Sequence, residues 1–320
     1  MCSSDLPEDT YERAIRALRL YAANGISRVR THADTMQLNQ LESVRALLAA
    51  KRDSASLIDV QVAMLLSWPV TGDDCGPNRR LAERAVDEGI DVVGGCPHLD
   101  PDPRSATRYF VALANETGLP LDLHTDENLN TASNDLEDLA DALQELGRPV
   151  HVTASHCVSL SLRERDEQVR IARKVADAGI NVISLPQTNL YLQGHGTTTS
   201  TPRAITPVNV LRAAGVTVGA GGDNLQDPFN PVGRGDALET ANLLVVAAHV
   251  PPDAAFEAVG ASAHDCMGVP PERIEPGSRA NFVGLRAASL REAIAMSPAD
   301  RVVVRNGIVL GNISETESKH

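Results

Sequence analysis

Lysine is nearly absent from this chain of 320 residues: Lys51, Lys174 and Lys319 are the only three. Lys51 and Lys174 fall in helical patterns and Lys319 in a polar tail, so neither Schiff-base chemistry nor a phosphate-binding P-loop has the lysine it needs. Positive charge as a whole is scarce. Lys and Arg number 29 against 42 Asp and Glu, a formal net charge of −13, and that field disfavours nucleic acids and anionic membranes as partners. No apolar run approaches the roughly 18 residues of a membrane span, and residues 1–7 have neither the basic nor the apolar stretch of a signal peptide. The five cysteines (Cys2, Cys75, Cys96, Cys157, Cys266) are odd in number, widely spaced and without a CxxC pair, which argues against a disulfide framework and a zinc ribbon. A cytoplasmic protein acting on a small molecule is expected, alone or as a homo-oligomer.

What is present is a rhythm. A helical pattern, a Gly and a short apolar run recur at Ala23-Asn24-Gly25-Ile26, Asp87-Glu88-Gly89-Ile90, Glu116-Thr117-Gly118-Leu119, Asp177-Ala178-Gly179-Ile180 and Ala213-Ala214-Gly215-Val216. Gly just past a helix end takes the left-handed conformation that stops the helix. The apolar runs begin near Val29, Ile58, Asp91, Leu121, Val150, Asn181 and Val216, at intervals of 29 to 35 residues, the length of one βα unit. Between them, residues 8–23 put Ile15, Leu18 and Ala22 on one helical face, and residues 164–178 do so with Val169, Ala172, Val175 and Ala176. The runs are apolar on both faces, as parallel strands covered by helices are. Seven such strands predict an α/β fold, a (β/α)8 TIM-type barrel lacking one strand, over residues 11–275. Residues 236–249 and 252–259 read as further helices. Residues 281–285 and 301–310 then read as strands, the second broken by an Asn306-Gly307 turn, and so few strands do not hold a sheet alone. Residues 276–310 are expected to be part of a small β-sandwich. Residues 1–10 are expected to be non-native or disordered, and 311–320 a disordered tail.

In a parallel barrel the chemistry sits at the C-terminal strand ends. Those ends carry Arg30-Thr31-His32-Ala33-Asp34, Ser67-Trp68-Pro69, Gly95-Cys96-Pro97-His98, His124-Thr125-Asp126-Glu127, Ala154-Ser155-His156 and Gly222-Asp223-Asn224. With His195, five of nine histidines fall on this rim. His124, His156 and Asp223 come from three separate ends. Imidazole and carboxylate suit a borderline divalent metal, and Glu127 beside them is placed to shuttle protons. His98 and His32 are candidates to line the pocket. Cys157 reads as a small apolar neighbour rather than a nucleophile, and Gly233-Arg234-Gly235-Asp236 as a loop and helix N-cap rather than a dinucleotide fingerprint.

Leu123-His124-Thr125-Asp126-Glu127, Val152-Thr153-Ala154-Ser155-His156, Asn189-Leu190-Tyr191-Leu192-Gln193-Gly194 and the run from Gly222-Asp223-Asn224 to Asp227-Pro228-Phe229 resemble the amidohydrolase superfamily in its cytosine deaminase branch. The resemblance covers residues 11–310. It implies that His124 and Asp223 bind one divalent metal ion, Zn²⁺ or Fe²⁺, and that His156 hydrogen-bonds the attacking water instead of the metal. By the same resemblance Asp223 accepts the proton of the nucleophile, Glu127 protonates a ring nitrogen, and His32, Ser67, Gln193, Asn224 and Phe229 bind substrate. A two-metal site would need a lysine where Gly95-Cys96-Pro97 stands. The family's His-x-His does not occur in this sequence, nor does its Phe-Pro-Gln-Glu, whose place Leu65-Leu66-Ser67-Trp68-Pro69 takes; with Asn224 after the metal Asp, this points away from cytosine itself.

The resemblance thus implies a metal-dependent amidohydrolase that deaminates a small N-heterocycle. The alternatives are release of an alkylamine from a triazine-like ring, cleavage of a cyclic amide, or an inactive barrel kept as a binding protein. The resemblance makes the absent parts the barrel's first strand and the first half of the β-sandwich; read as N-terminally truncated in this way, the chain is expected to hold metal weakly and to be inactive.

Overall fold

The computed structural model describes residues 7–310. Seven strands follow one another, each preceded by a helix: β1 (Arg28–Thr35), β2 (Asp59–Leu66), β3 (Val93–Gly95), β4 (Leu121–Thr125), β5 (Val152–His156), β6 (Asn181–Ser184) and β7 (Val218–Ala220). They pair in sequence order, all parallel, with β1 and β7 as the two edges. A parallel pair needs a long crossover, and the intervening helices supply it. The sheet curls: Arg30 in β1 reaches over the interior to Asp122 in β4 (2.8 Å) and Thr153 in β5 (3.4 Å). This is the expected TIM-type barrel short of one strand.

The glycine rhythm does what its chemistry allows. Gly25, Gly89, Gly118, Gly179 and Gly215 all have positive φ, and Gly89 and Gly118 are left-handed caps of the helices before β3 and β4. Gly94 has a different task. A Cβ there would stand 2.5 Å from the Met64 carbonyl oxygen and 2.7 Å from that of Asp122, so only glycine lets β3 lie between β2 and β4. Strand residues Val62, Met64, Leu121, Leu123 and Val182 share one core with Phe110, Leu139, Ile171 and Leu211 from the helices. Each such buried side chain contributes about 1.5–3 kcal/mol.

The barrel interior is polar. Arg30, Gln61, Asp122, Thr153 and Ser155 bond among themselves. The chain after the helix Ala261–Cys266 closes the floor, its Met267 carbonyl accepting from Arg30 (3.0 Å) and its Cys266 carbonyl from Thr153 (2.7 Å).

The C-terminal segment is a three-stranded antiparallel sheet of order β10-β9-β8, built from β8 (Phe282–Leu285), β9 (Arg301–Arg305) and β10 (Ile308–Leu310). The hairpin turns at Asn306-Gly307, both with positive φ, as expected. A helix, Leu290–Met296, stands between β8 and β9 where the sequence reading had none. Its signal was Ser289 three residues before Glu292: the Ser289 hydroxyl accepts from the Glu292 N–H, a helix N-cap. At the other end, the first helix runs Pro7–Ala23 with Glu8 and Asp9 in its first turn, where acidic side chains favour the helix dipole; residues 7–10 are therefore helical rather than disordered, and residues 1–6 of the stretch expected to be non-native or disordered lie outside the described residues. The expected tail at 311–320 lies outside the described residues. Among those described, no helix is long and apolar enough to cross a membrane, and Cys75, Cys96, Cys157 and Cys266 are free thiols.

Candidate active site

Asp122 and His124 alternate with Leu121 and Leu123 along β4, so the first pair faces the polar interior and the second the helices. Asp126 then turns the chain with φ of +51°, and Glu127 follows at the rim. The turn is held from behind. The Asp126 carboxylate accepts from the N–H groups of Asp135 (2.9 Å) and Leu136 (3.1 Å), which open the helix Asp135–Leu146, and from the Ser133 hydroxyl (2.7 Å). Free N–H groups at a helix start are natural partners for a carboxylate.

On β5, Thr153 and Ser155 face the interior, so strict alternation would send His156 towards the helices. Its φ of +70° breaks that alternation, and the Thr206 hydroxyl fixes the turn by donating to the His156 carbonyl (2.6 Å). Asp223, beyond β7, has φ of +58°. Non-glycine residues in this region are strained, and such strain gathers at functional sites.

These turns bring one donor atom each from Glu127, His156 and Asp223 within 4.8 Å of one another. His156 Nδ1 lies 3.3 Å from Glu127 Oε1 and 3.0 Å from the Asn189 amide nitrogen. The His124 ring packs 4.9 Å from that of His156, and the His32 ring meets His124 edge-on at 4.8 Å. His124 Nδ1 and His156 Nε2 are buried without a hydrogen-bond partner. Burial pushes Glu127 up to about 7, and the negative charge of Asp223 adds to the effect. Burial raises Asp223 as well. The same burial, with His32 nearby, lowers His124 to about 4, and burial and His124 take His156 well below the ordinary histidine value. The site therefore offers neutral imidazoles and a carboxylic acid that exchanges its proton near neutral pH.

The other expected positions fall into two groups. His32 joins the cluster through His124, while its Nε2 stays 3.8 Å from Asp122, beyond hydrogen-bond reach. Gln193 touches the site differently, its amide donating to the Glu127 carbonyl at 3.3 Å. Asn224 is turned to its own loop, donating to Asp227 (2.6 Å) and accepting from Thr188 (3.4 Å). Ser67 directly follows β2, its N–H bound to the Thr35 carbonyl. The Phe229 side chain is 50% exposed in the loop after β7. His195 is exposed and bonds the carbonyl of Tyr191. Asp236 is the expected N-cap, accepting from Leu238 N–H, and Cys157 is fully buried. Asn189 and the Asp126 anchor had no assigned role; Asn189 stood inside a quoted motif, whereas nothing in sequence paired Asp126 with a helix nine residues on.

A profile of the amidohydrolase family matches residues 3–314. The chain is 30% identical over 308 residues to a pterin deaminase of Rhizobium rhizogenes, covering 94% of this chain and 70% of that one. It is 25% identical over 316 residues to an N-isopropylammelide isopropyl amidohydrolase of Pseudomonas sp., covering 95% and 73%. Among solved structures, 5-methylcytosine deaminase of Klebsiella pneumoniae with 5-fluorocytosine superposes with a TM-score of 0.86 at 30% identity, over 96% of this chain and 75% of that one. Sequence profile, relatives and barrel agree: the chain belongs to the amidohydrolase family, metal-dependent hydrolases of carbon–nitrogen bonds other than peptide bonds.

Proposed function

We propose that the protein deaminates a small N-heterocycle, with His124 and Asp223 holding one divalent cation, Zn²⁺ or Fe²⁺. The residues suit such an ion: His124 is held neutral with Nδ1 unpartnered in a buried setting, the charge of Asp223 acts on it, and its ring packs on His156, which meets Asp223 in the carboxylate–imidazole cluster. A bound cation would supply a water of pKa near 7, acidic enough to be a nucleophile at neutral pH. His156, held at Nδ1 between the Asn189 amide and the Glu127 carboxylate, would orient the attacking water.

The carrying observation is the meeting of Glu127, His156 and Asp223 within 4.8 Å, with Glu127 poised at about 7. Asp223, its basicity raised by burial, takes a proton from the attacking water. Protonated Glu127 gives its proton to a ring nitrogen as the C–O bond forms. Proton return to the exocyclic amine then lets the C–N bond break and ammonia leave. The pterin deaminase and 5-methylcytosine deaminase relatives support an aminated ring as substrate, and the free thiols of the four cysteines among the described residues fit a cytoplasmic location. The test is an assay of ammonia against alkylamine release from aminopterins, aminopyrimidines and aminotriazines, with metal measured by elemental analysis. Ammonia release dependent on bound metal is expected; no release together with no retained metal would instead bear out the expectation that the chain is inactive without the family's His-x-His. Alkylamine release alone would replace deamination with the chemistry of the isopropyl amidohydrolase relative.

A further inference from the structure

His98 lies in the turn Pro97–Leu99 after β3 and has no part in the chemistry above. Its ring is pinned on one side. Nδ1 is 3.2 Å from the carbonyl oxygen of His124 and 3.5 Å from Asp135 Oδ2. Both neighbours are acceptors, so Nδ1 carries the hydrogen and the orientation of the ring is fixed. Asp135 is itself tied to the Asp126 turn: Asp126 N–H faces its carboxylate at 3.4 Å, and Asp135 N–H donates to the Asp126 carboxylate. The side chain of His98 is only 8% exposed, and no hydrogen bond to Nε2 occurs among the described residues. Nε2 is not among the fully buried unpartnered atoms either, so it opens onto accessible space. That space borders the site, because the His98 ring sits against the backbone of His124, 3.2 Å from its carbonyl oxygen, and the His124 ring packs 4.9 Å from that of His156.

An imidazole held by a carboxylate at one nitrogen, with the other nitrogen free beside a reacting centre, is built to present that nitrogen. We infer that His98 is a specificity-determining residue whose Nε2 hydrogen-bonds a polar edge, a ring N–H or a ring carbonyl, of the heterocycle. This rests on the deaminase reading for the class of ligand. It also explains why Asp135, on a helix outside the barrel wall, points its carboxylate back at the rim.

The two amide variants separate the two ends of the ring. Asn in place of histidine puts a polar group near the position of Nδ1, and Gln puts one near that of Nε2. His98→Asn, His98→Gln and wild type, each loaded with zinc, are compared for binding of aminopterins, aminopyrimidines and their deaminated products by calorimetry. Ammonia release, zinc content and thermal midpoint are measured on the same samples. The expected result is a loss of affinity of about tenfold to a hundredfold in His98→Asn, as a lost hydrogen bond in a desolvated pocket implies, with zinc and midpoint retained. His98→Gln should stay within a few-fold of wild type and keep its ranking of ligands. Rescue by Asn and failure of Gln would overturn the inference and make His98 a brace for the His124 carbonyl. Unchanged affinities in both variants would overturn it too. Failure of the deaminase reading looks different: wild type binds these rings and releases no ammonia, and the affinities still decide the role of His98. Wild type that binds none of them overturns both.

Discussion

At the scale of single residues the site works by depriving polar groups of water. Glu127 has its value moved to about 7 by burial and by Asp223, which leaves it largely protonated at pH 6 and largely ionised at pH 8. If its proton is the one delivered to the ring, turnover falls as pH rises through about 7, and a pH–rate profile checks this. Glu127→Gln removes the transferable proton without removing an assigned ligand, so kcat should drop by about 10²–10⁴ or more while metal content stays the same; activity within tenfold of wild type would take Glu127 out of the mechanism. Stability has the same sign. Because the folded value lies above the ordinary glutamate value, Glu127 contributes stability below about 4.5 that is lost as pH rises through 7. Metal-free Glu127→Gln should therefore compare more favourably with metal-free wild type at pH 8 than at pH 5, as read from thermal midpoints. His124→Ala tests the division of labour among the imidazoles: it should lose metal by elemental analysis, whereas His156→Ala should keep it and lose turnover.

At the scale of elements, two local devices place those residues. The first is the glycine of β3, where strands on both sides close to carbonyl distance. Gly94→Ala drives a methyl group against the backbone of Met64 and Asp122, atoms that cannot rotate away, and overpacking of this kind costs about 1–3 kcal/mol or more. A lower urea midpoint and a misplaced His124 are expected together, since Asp122 and His124 share a strand. The second device is the Asp126 anchor. Asp126→Ala leaves the Asp135 and Leu136 N–H groups without their acceptor at a cost of about 1–3 kcal/mol, measurable by urea denaturation. Sequence showed these elements unequally. The strands and the helices before them were legible because period, length and glycine stops all agree, and β1 to β7 begin within two residues of the expected starts. His124, Glu127, His156 and Asp223 were legible as strand-end residues with metal-site chemistry. What sequence hid was direction. Alternation sends His156 the wrong way, and only the positive φ turns at Asp126, His156 and Asp223 bring three side chains to one point. Positive φ in a residue other than glycine leaves only the faint mark of a residue type that tolerates it, here Asp and His.

At the scale of the molecule, the C-terminal segment is fixed to the barrel by charge as well as by packing of Leu285, Leu290 and Ile294 on the core. Part of the tie is a pair of arginines that no pattern announced. Arg305 reaches Asp59 of β2 at 2.6 Å. Arg301 reaches Asp236, the N-cap of the helix Ala237–Ala248, at 2.5 Å, and also bonds the Asn24 carbonyl at 2.9 Å. Asp236 thus caps a barrel helix and receives the sheet through one carboxylate, and the side chains of the Arg301 pair are 6% and 7% exposed. Removing one member of such a pair leaves the other charge buried and uncompensated, which costs about 3–5 kcal/mol. Arg301→Ala should therefore lower the urea midpoint at pH 7 more than Arg286→Ala, whose partner Asp300 is exposed with it. The pH dependence gives an independent check. Burial alone would raise Asp236, but its bonds to Arg301, Ser297 and Leu238 outweigh that and hold it below the ordinary aspartate value. A carboxylate with a depressed folded value stabilises fully above the ordinary value near 4, and its contribution disappears as pH falls through the folded one. The gap between wild type and Arg301→Ala should accordingly be wide at pH 7 and narrow in acid below about pH 4. A gap that stays constant down to pH 3 would mean that Arg301 holds the sheet by packing its stem rather than by its charge.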